Sequence, residues 1–73
     1  MLNVAPGDSI YLTDIDPADG NHGWVIRVER EDGIETVIAD FGGRHPDGTP
    51  SYGRIPIHPE TGFAKHVRHV VNG

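Results

Sequence analysis

The feature that most constrains this chain is Asp32-Gly33, set between two runs of strand-forming residues in the stretch GWVIRVEREDGIETVIADF, residues 23–41. Both central positions of a two-residue hairpin turn need a positive φ, and Asp-Gly is among the pairs that meet this need at least cost. A loop of that length sets Glu31 opposite Ile34, and the register follows by counting outward. Trp24 then opposes Phe41, Ile26 opposes Ala39 and Val28 opposes Val37, all on one face. Val25 with Asp40, Arg27 with Ile38, and Glu29 with Thr36 fall on the other. A slip of one residue would set Ile26 against Asp40 and bring a carboxylate to the buried face, which is costly. Tryptophan is enriched at interface hot spots, which invites a binding reading of Trp24, but the register places it in the core, packed against Phe41.

The rest of the chain reads as further short strands. Ala5-Pro6-Gly7-Asp8 is a turn, and Ser9-Ile10-Tyr11-Leu12-Thr13 follows as a first strand with Ile10 and Leu12 on one face and Tyr11 on the other. Asp14 to His22 is a polar loop broken by Pro17 and Gly20, and Gly42 to Ser51 is a second long loop dense in turn formers. Tyr52 to His58 reads as a strand with Ile55 and Ile57 sharing a face. Pro56 between them lacks an N–H and confines that strand to a sheet edge. Phe63, Val67, Val70 and Val71 fit helical spacing, while Val67 and Val71 with His69 between them fit a strand. Their β-branched content favours a one-turn helix near Glu60–Ala64 and then a strand from Lys65 to Val71. The expected fold is therefore all-β, a small five-stranded barrel over residues 1–73, with a short helical turn before the last strand.

A chain of 73 residues with 36% apolar side chains builds one core of about a dozen residues. It has no cysteine, so neither disulfides nor thiolate chemistry enter, and no apolar run is long enough to cross a membrane. The opening MLNVAPGDS lacks the basic start and apolar middle of a secretory signal, which makes the cytoplasm the expected location. One lysine against five arginines fits a GC-rich bacterial or phage genome. The formal charge of −5 argues against tracking a phosphate backbone. That charge is unevenly spread: residues 1–40 carry a net −7 and residues 41–73 a net +2, with four of the five histidines in the second part. Such asymmetry steers encounter with a charged partner.

The stretch from Pro6 to Phe41 resembles the opening of Src-homology-3-like barrels of the KOW and translation-protein type. In those barrels a Gly-Asp precedes the first strand and a Gly begins the second, as Gly7-Asp8 and Gly23 do here. The resemblance covers about half the chain and implies the same small barrel. The peptide-binding signature of the eukaryotic barrels, an Ala-Leu-Tyr-Asp-Tyr run and a Trp-Trp pair, is absent. Recognition of proline-rich peptides is therefore not implied. KOW modules that bind RNA are basic, and this chain is acidic.

Three constellations bear on chemistry. Asp14, Asp16 and Asp19-Gly20-Asn21 resemble a calcium loop, but the third acid and the glycine each come one place late, and position twelve is Val25. The spacing reads as an acidic loop held by side-chain turns. His66 and His69 lie three apart, with His45 and His58 upstream, and nothing in the spacing supplies the third ligand that zinc requires. Ser9 and Ser51 sit in no nucleophile motif. Neither catalysis nor a cofactor or metal is expected.

The remaining candidate is a contact surface. Val25, Arg27, Ile38 and Asp40 form a block on the outer face of the hairpin, and Tyr11 and Tyr52 alternate away from the core positions of their own strands. An apolar patch rimmed by charge marks a place of contact. The expected function is a non-enzymatic module that docks this face on a protein partner or on a second copy of the chain. The alternatives are a KOW-like nucleic-acid module acting through the basic C-terminal part and an acidic mimic that fills a protein's nucleic-acid groove.

Overall fold

The computed structural model describes residues 3–73. Five antiparallel strands, β1 (Ser9–Leu12), β2 (His22–Glu31), β3 (Ile34–Asp40), β4 (Gly53–Ile57) and β5 (Val67–Val70), form one sheet in the order β4-β3-β2-β1-β5. The sheet curls into a half-barrel. The β2–β3 turn has the expected geometry, with Asp32 at φ 54° and Gly33 at φ 79°. From that turn the register runs as counted: Glu31 opposite Ile34, Val28 opposite Val37, and Arg27 opposite Ile38.

Beyond Arg27 the register shifts. Ile26 is an extra, unpaired residue, so that Val25 stands opposite Ala39 and Trp24 opposite Asp40. This β-bulge reverses the facing of the residues before it. Val25 is 2% exposed and packs in the core, whereas Trp24 is 50% exposed and Ile26 38% exposed. The inward placement of Trp24 and Ile26, and the outward placement of Val25, are thus corrected. The cause is geometric. The ten residues of β2 serve two neighbours, pairing with β3 along most of their length and with β1 through His22, Gly23 and Trp24. A bulge bends a strand and increases its twist, and here it lies where β2 turns from one neighbour toward the other.

The interior at that end is already occupied. A Cβ on Gly23 would stand 2.7 Å from two ring carbons of Phe41, and one on Gly53 would stand 3.0 Å from the other side of the ring. Phe41 fills the space above the two glycines. The core proper is Ile10, Val25, Val37, Ala39, Ile55 and Ile57, with Leu12, Val28, Phe41, Phe63 and Val67 packed against it.

The segment before β5 also departs from expectation. Pro59 to Thr61 is a turn rather than a helix, closed by paired backbone hydrogen bonds between His58 and Gly62 of 2.9 Å each. The imidazole Nδ1 of His58 accepts from the amides of Glu60 and Thr61 at 3.2 and 3.3 Å, taking up two donors that would otherwise start a helix. Gly62, at φ 79°, completes the reversal. The single 3-10 turn among the described residues lies instead in the first long loop, at Pro17–Asp19. Asp16 caps it, accepting from the Ala18 amide at 2.8 Å, and Gly20 ends it at φ 82°. β4 is an edge strand, in keeping with Pro56. No helix among the described residues is long and apolar enough to cross a membrane.

Candidate functional site

The site is built on β1, whose residues alternate between two polar clusters. Asp8, just before the strand, points inward with Ile10. Its Oδ2 accepts from the Ala5 amide at 2.9 Å and from His69 Nε2 at 2.8 Å, and its Oδ1 accepts from the Asn72 amide at 3.4 Å. The Ala5 N–H first, and then the imidazole, hold the Asp8 carboxyl below its ordinary value of 3.8. These bonds pin the N-terminal turn to β5 and to the residue two places beyond it.

Ser9 points the other way, toward the outer face, yet is only 3% exposed. Its Oγ shares a 2.9 Å hydrogen bond with His22 Nε2 and accepts from Asn72 Nδ2 at 2.7 Å. His22 is held in turn by its neighbours' rings. Tyr11 stacks on one side with centroids 4.3 Å apart and planes 14° apart, and Trp24 lies on the other at 4.1 Å and 37°. The column Tyr11–His22–Trp24 follows from the pairing of β1 and β2. Tyr11 is directly opposite His22, and Trp24 is two residues further along the same face. A hydrogen bond at its centre fixes the imidazole, and the imidazole fixes the half-exposed indole.

Asp8 orients His69 and not His22, so Ser9 and His22 are not joined to a carboxylate in a relay. The serine hydroxyl faces Asn72 rather than an opening. Asp16, in the loop that resembles a calcium site, is engaged as a cap. Among the described residues no group of three or more His, Cys, Asp or Glu is placed to hold a metal ion.

The six residues expected to form the contact surface are divided. Val25 faces the core and cannot take part. Ile38 does lie on the outer face, but it is 1% exposed. Arg27 and Arg54 stand opposite it from either side, and both reach Glu29, at 3.0 and 3.1 Å. Arg27, Glu29 and Arg54 are thus tied together by ion pairs across the strands around it. The two guanidiniums hold the Glu29 carboxyl below its ordinary 4.5, Arg27 contributing most. Asp40, opposite Trp24, accepts from the Gly42 amide at 2.7 Å and from Arg44 at 3.2 Å, and in that order the two keep its carboxyl low. Tyr11 joins the aromatic column, and Tyr52 is 38% exposed, just before β4.

Two features of this face are not fixed by the chain alone. One is Trp24 itself, together with His22. Their spacing of two is a strand signal, but only pairing with β1 shows which way it points. The other is the placement of arginine. Arg68 is opposite Tyr11, Arg27 and Arg54 are opposite Ile38, and Arg44 reaches Asp40. Four of the five arginines of an acidic chain are thus spread over the face that carries its exposed aromatic rings. Comparison of the chain with protein-family models, with curated proteins and with solved structures gave no match.

Proposed function

We propose that the chain is a non-enzymatic protein-binding module whose contact surface is the outer face of the sheet, centred on Trp24. The observation that carries this reading is the half-exposed indole held in place by His22. A large ring that is both accessible and immobilised loses little conformational freedom on contact. Trp, Tyr and Arg are also the residue types that dominate binding energy at protein interfaces, and this face combines them. Kinship with Src-homology-3-like barrels belongs to the same proposal. It is supported by five short strands, a long loop after the first strand, and a tight hairpin between the second and third.

The arginines also bear on the nucleic-acid reading. Arg27 and Arg54 share Glu29, and Arg44 is engaged by Asp40, so three of the four guanidiniums already face carboxylates. A strand of phosphates would have to compete with those carboxylates, within a chain of net charge −5. The same arginines suit a protein partner, whose side chains can pair with both signs.

The test compares the wild-type chain with Trp24→Ala. Proteins retained from a cell extract by the immobilised wild type are identified, purified and titrated against both forms by calorimetry. Loss of a central aromatic anchor should weaken binding at least about thirtyfold, while the circular dichroism of the folded chain is kept. A partner bound equally by the two forms would overturn the assignment of this face. Salt-sensitive retention on single-stranded oligonucleotides, lost with Arg27→Ala and Arg54→Ala, would put nucleic acid in place of protein.

A further inference from the structure

From the hydrogen bonding of β5, we infer that its free edge takes up an extended, acidic segment of a partner protein as an added strand of the sheet. This rests on the protein-binding reading above and adds a second contact to it, apart from the face around Trp24.

The strand order leaves two edges among the described residues, β4 and β5. β4 carries Pro56, which has no N–H to offer a further strand. β5 has no such block, since each of its residues keeps a backbone donor. Which of its groups point outward follows from one bond. The Thr13 N–H donates to the His66 carbonyl at 2.8 Å, so His66 faces β1, and the alternation of an antiparallel pair turns Arg68 and Val70 to β1 as well. Val67, His69 and Val71 then direct their backbone groups away from the sheet. The Val67 N–H turns back to the Ala64 carbonyl at 3.0 Å. The N–H and C=O groups of His69 and Val71 have no hydrogen-bond partner among the described residues. They repeat every second residue, which is the spacing a further strand pairs with.

This stretch of edge is held in place by its neighbours. The His69 imidazole is bonded to Asp8, and the same carboxylate accepts from the Asn72 amide at 3.4 Å. The Asn72 side chain donates to the Gly7 carbonyl at 3.0 Å and to Ser9. Val71 therefore lies between two anchored residues, and an edge already in position loses little freedom on pairing. Val71 is also 63% exposed, more than any other large apolar residue described. An added strand would cover it.

Charge names the occupant. Residues 61–73 contain no acid and carry Lys65 and Arg68, in a chain of net charge −5. Arg68 has no ion-pair partner among the described residues. Of the acids nearest in the ladder, Asp8 is engaged by His69 and Asn72, and Asp14 follows Thr13 alone. A second copy paired edge to edge would bring Lys65 and Arg68 up to their own counterparts, and like charges across paired strands are destabilising. An acidic strand meets them with the opposite sign.

The probes are two end-blocked peptides of about six residues, one alternating glutamate with valine and one alternating lysine with valine. Amide exchange on the full chain, followed by NMR, reads the contact. At saturation the glutamate peptide should slow exchange at His69 and Val71 at least about tenfold and leave Arg68 and Val70, already bonded to β1, unchanged. The lysine peptide should bind at least about tenfold more weakly, and Arg68→Glu should narrow that difference. Val71→Pro removes an edge donor that the fold does not use and should weaken the glutamate peptide. Where that variant loses its circular dichroism signal, methylating the backbone amides of the peptide makes the same test on the unaltered chain. No protection of either amide with about 1 mM glutamate peptide overturns the inference. Protection that appears without peptide as the chain is concentrated, the mark of two copies pairing, overturns it as well. A captured protein lost with Trp24→Ala but bound equally by Val71→Pro would leave the outer face standing and remove the edge. The converse would keep the edge and remove the face.

Discussion

The ring of Phe41 occupies the space that a side chain on Gly23 would need, its nearest carbons 2.7 Å from where a Cβ would stand. Glycine at this position is a packing requirement, since its φ is not in the left-handed region. Gly23→Ala should therefore act as overpacking and cost about 1–3 kcal/mol. Gly53→Ala, with 3.0 Å to the same ring, should cost less. Urea unfolding of both variants checks the order. Phe41→Leu combined with Gly23→Ala should recover part of the loss, because the smaller side chain yields the space.

Gly33 presents the opposite case. Nothing lies within 4 Å of where its Cβ would be, but its φ is 79°. Gly33→Val should cost at least about 1 kcal/mol through backbone strain alone, since a β-branched residue resists that region. Thermal unfolding measures it. Unchanged stability would refute the turn geometry.

The bulge at Ile26 makes a paired prediction. Val25→Asp would place a carboxylate in the core and should leave the chain largely unfolded, as an unpaired buried charge costs several kcal/mol. Ile26→Asp should cost about 1 kcal/mol or less, the scale of an exposed strand substitution. An unbulged register would give the reverse order. Circular dichroism of the two variants decides between them.

Asp8 gives a pH dependence with a definite sign. Its folded-state pKa lies below 3.8 because the Ala5 amide and the His69 imidazole favour the carboxylate. The unfolded chain therefore takes up this proton first as the pH falls. The stability that Asp8 contributes is complete above its unfolded value and is lost on acidification, between about pH 5 and pH 2. Asp8→Asn should be less stable than the wild type at pH 7, and the gap should narrow by pH 3. Glu29, Asp40 and Asp47 also have lowered values, but they are common to both proteins and cancel in the comparison. A gap that is constant with pH would show that the Asp8 charge contributes nothing to folding.

What the amino-acid sequence determined by itself is local. Asp32-Gly33 demanded a turn with two positive φ angles, and counting from that turn placed every pair correctly as far as Arg27 and Ile38. Pro56 lacked a donor and required an edge. These follow from the covalent chemistry of one or two residues and need no distant neighbour. Trp24, Val25 and Ile26 are three apolar residues in a row, and such a run fits a strand in either facing. Only tertiary structure chose between them, through Phe41 lying over Gly23 and Gly53 and through β1 claiming the start of β2. His58 likewise redirected a helix-compatible segment by accepting its amides. The placement of Arg27, Arg54 and Arg68 on the face that bears the exposed indole, in a chain of net charge −5, has the same origin. Net charge sums over the chain without regard to position, whereas the register of a curled sheet decides which side chains share a face.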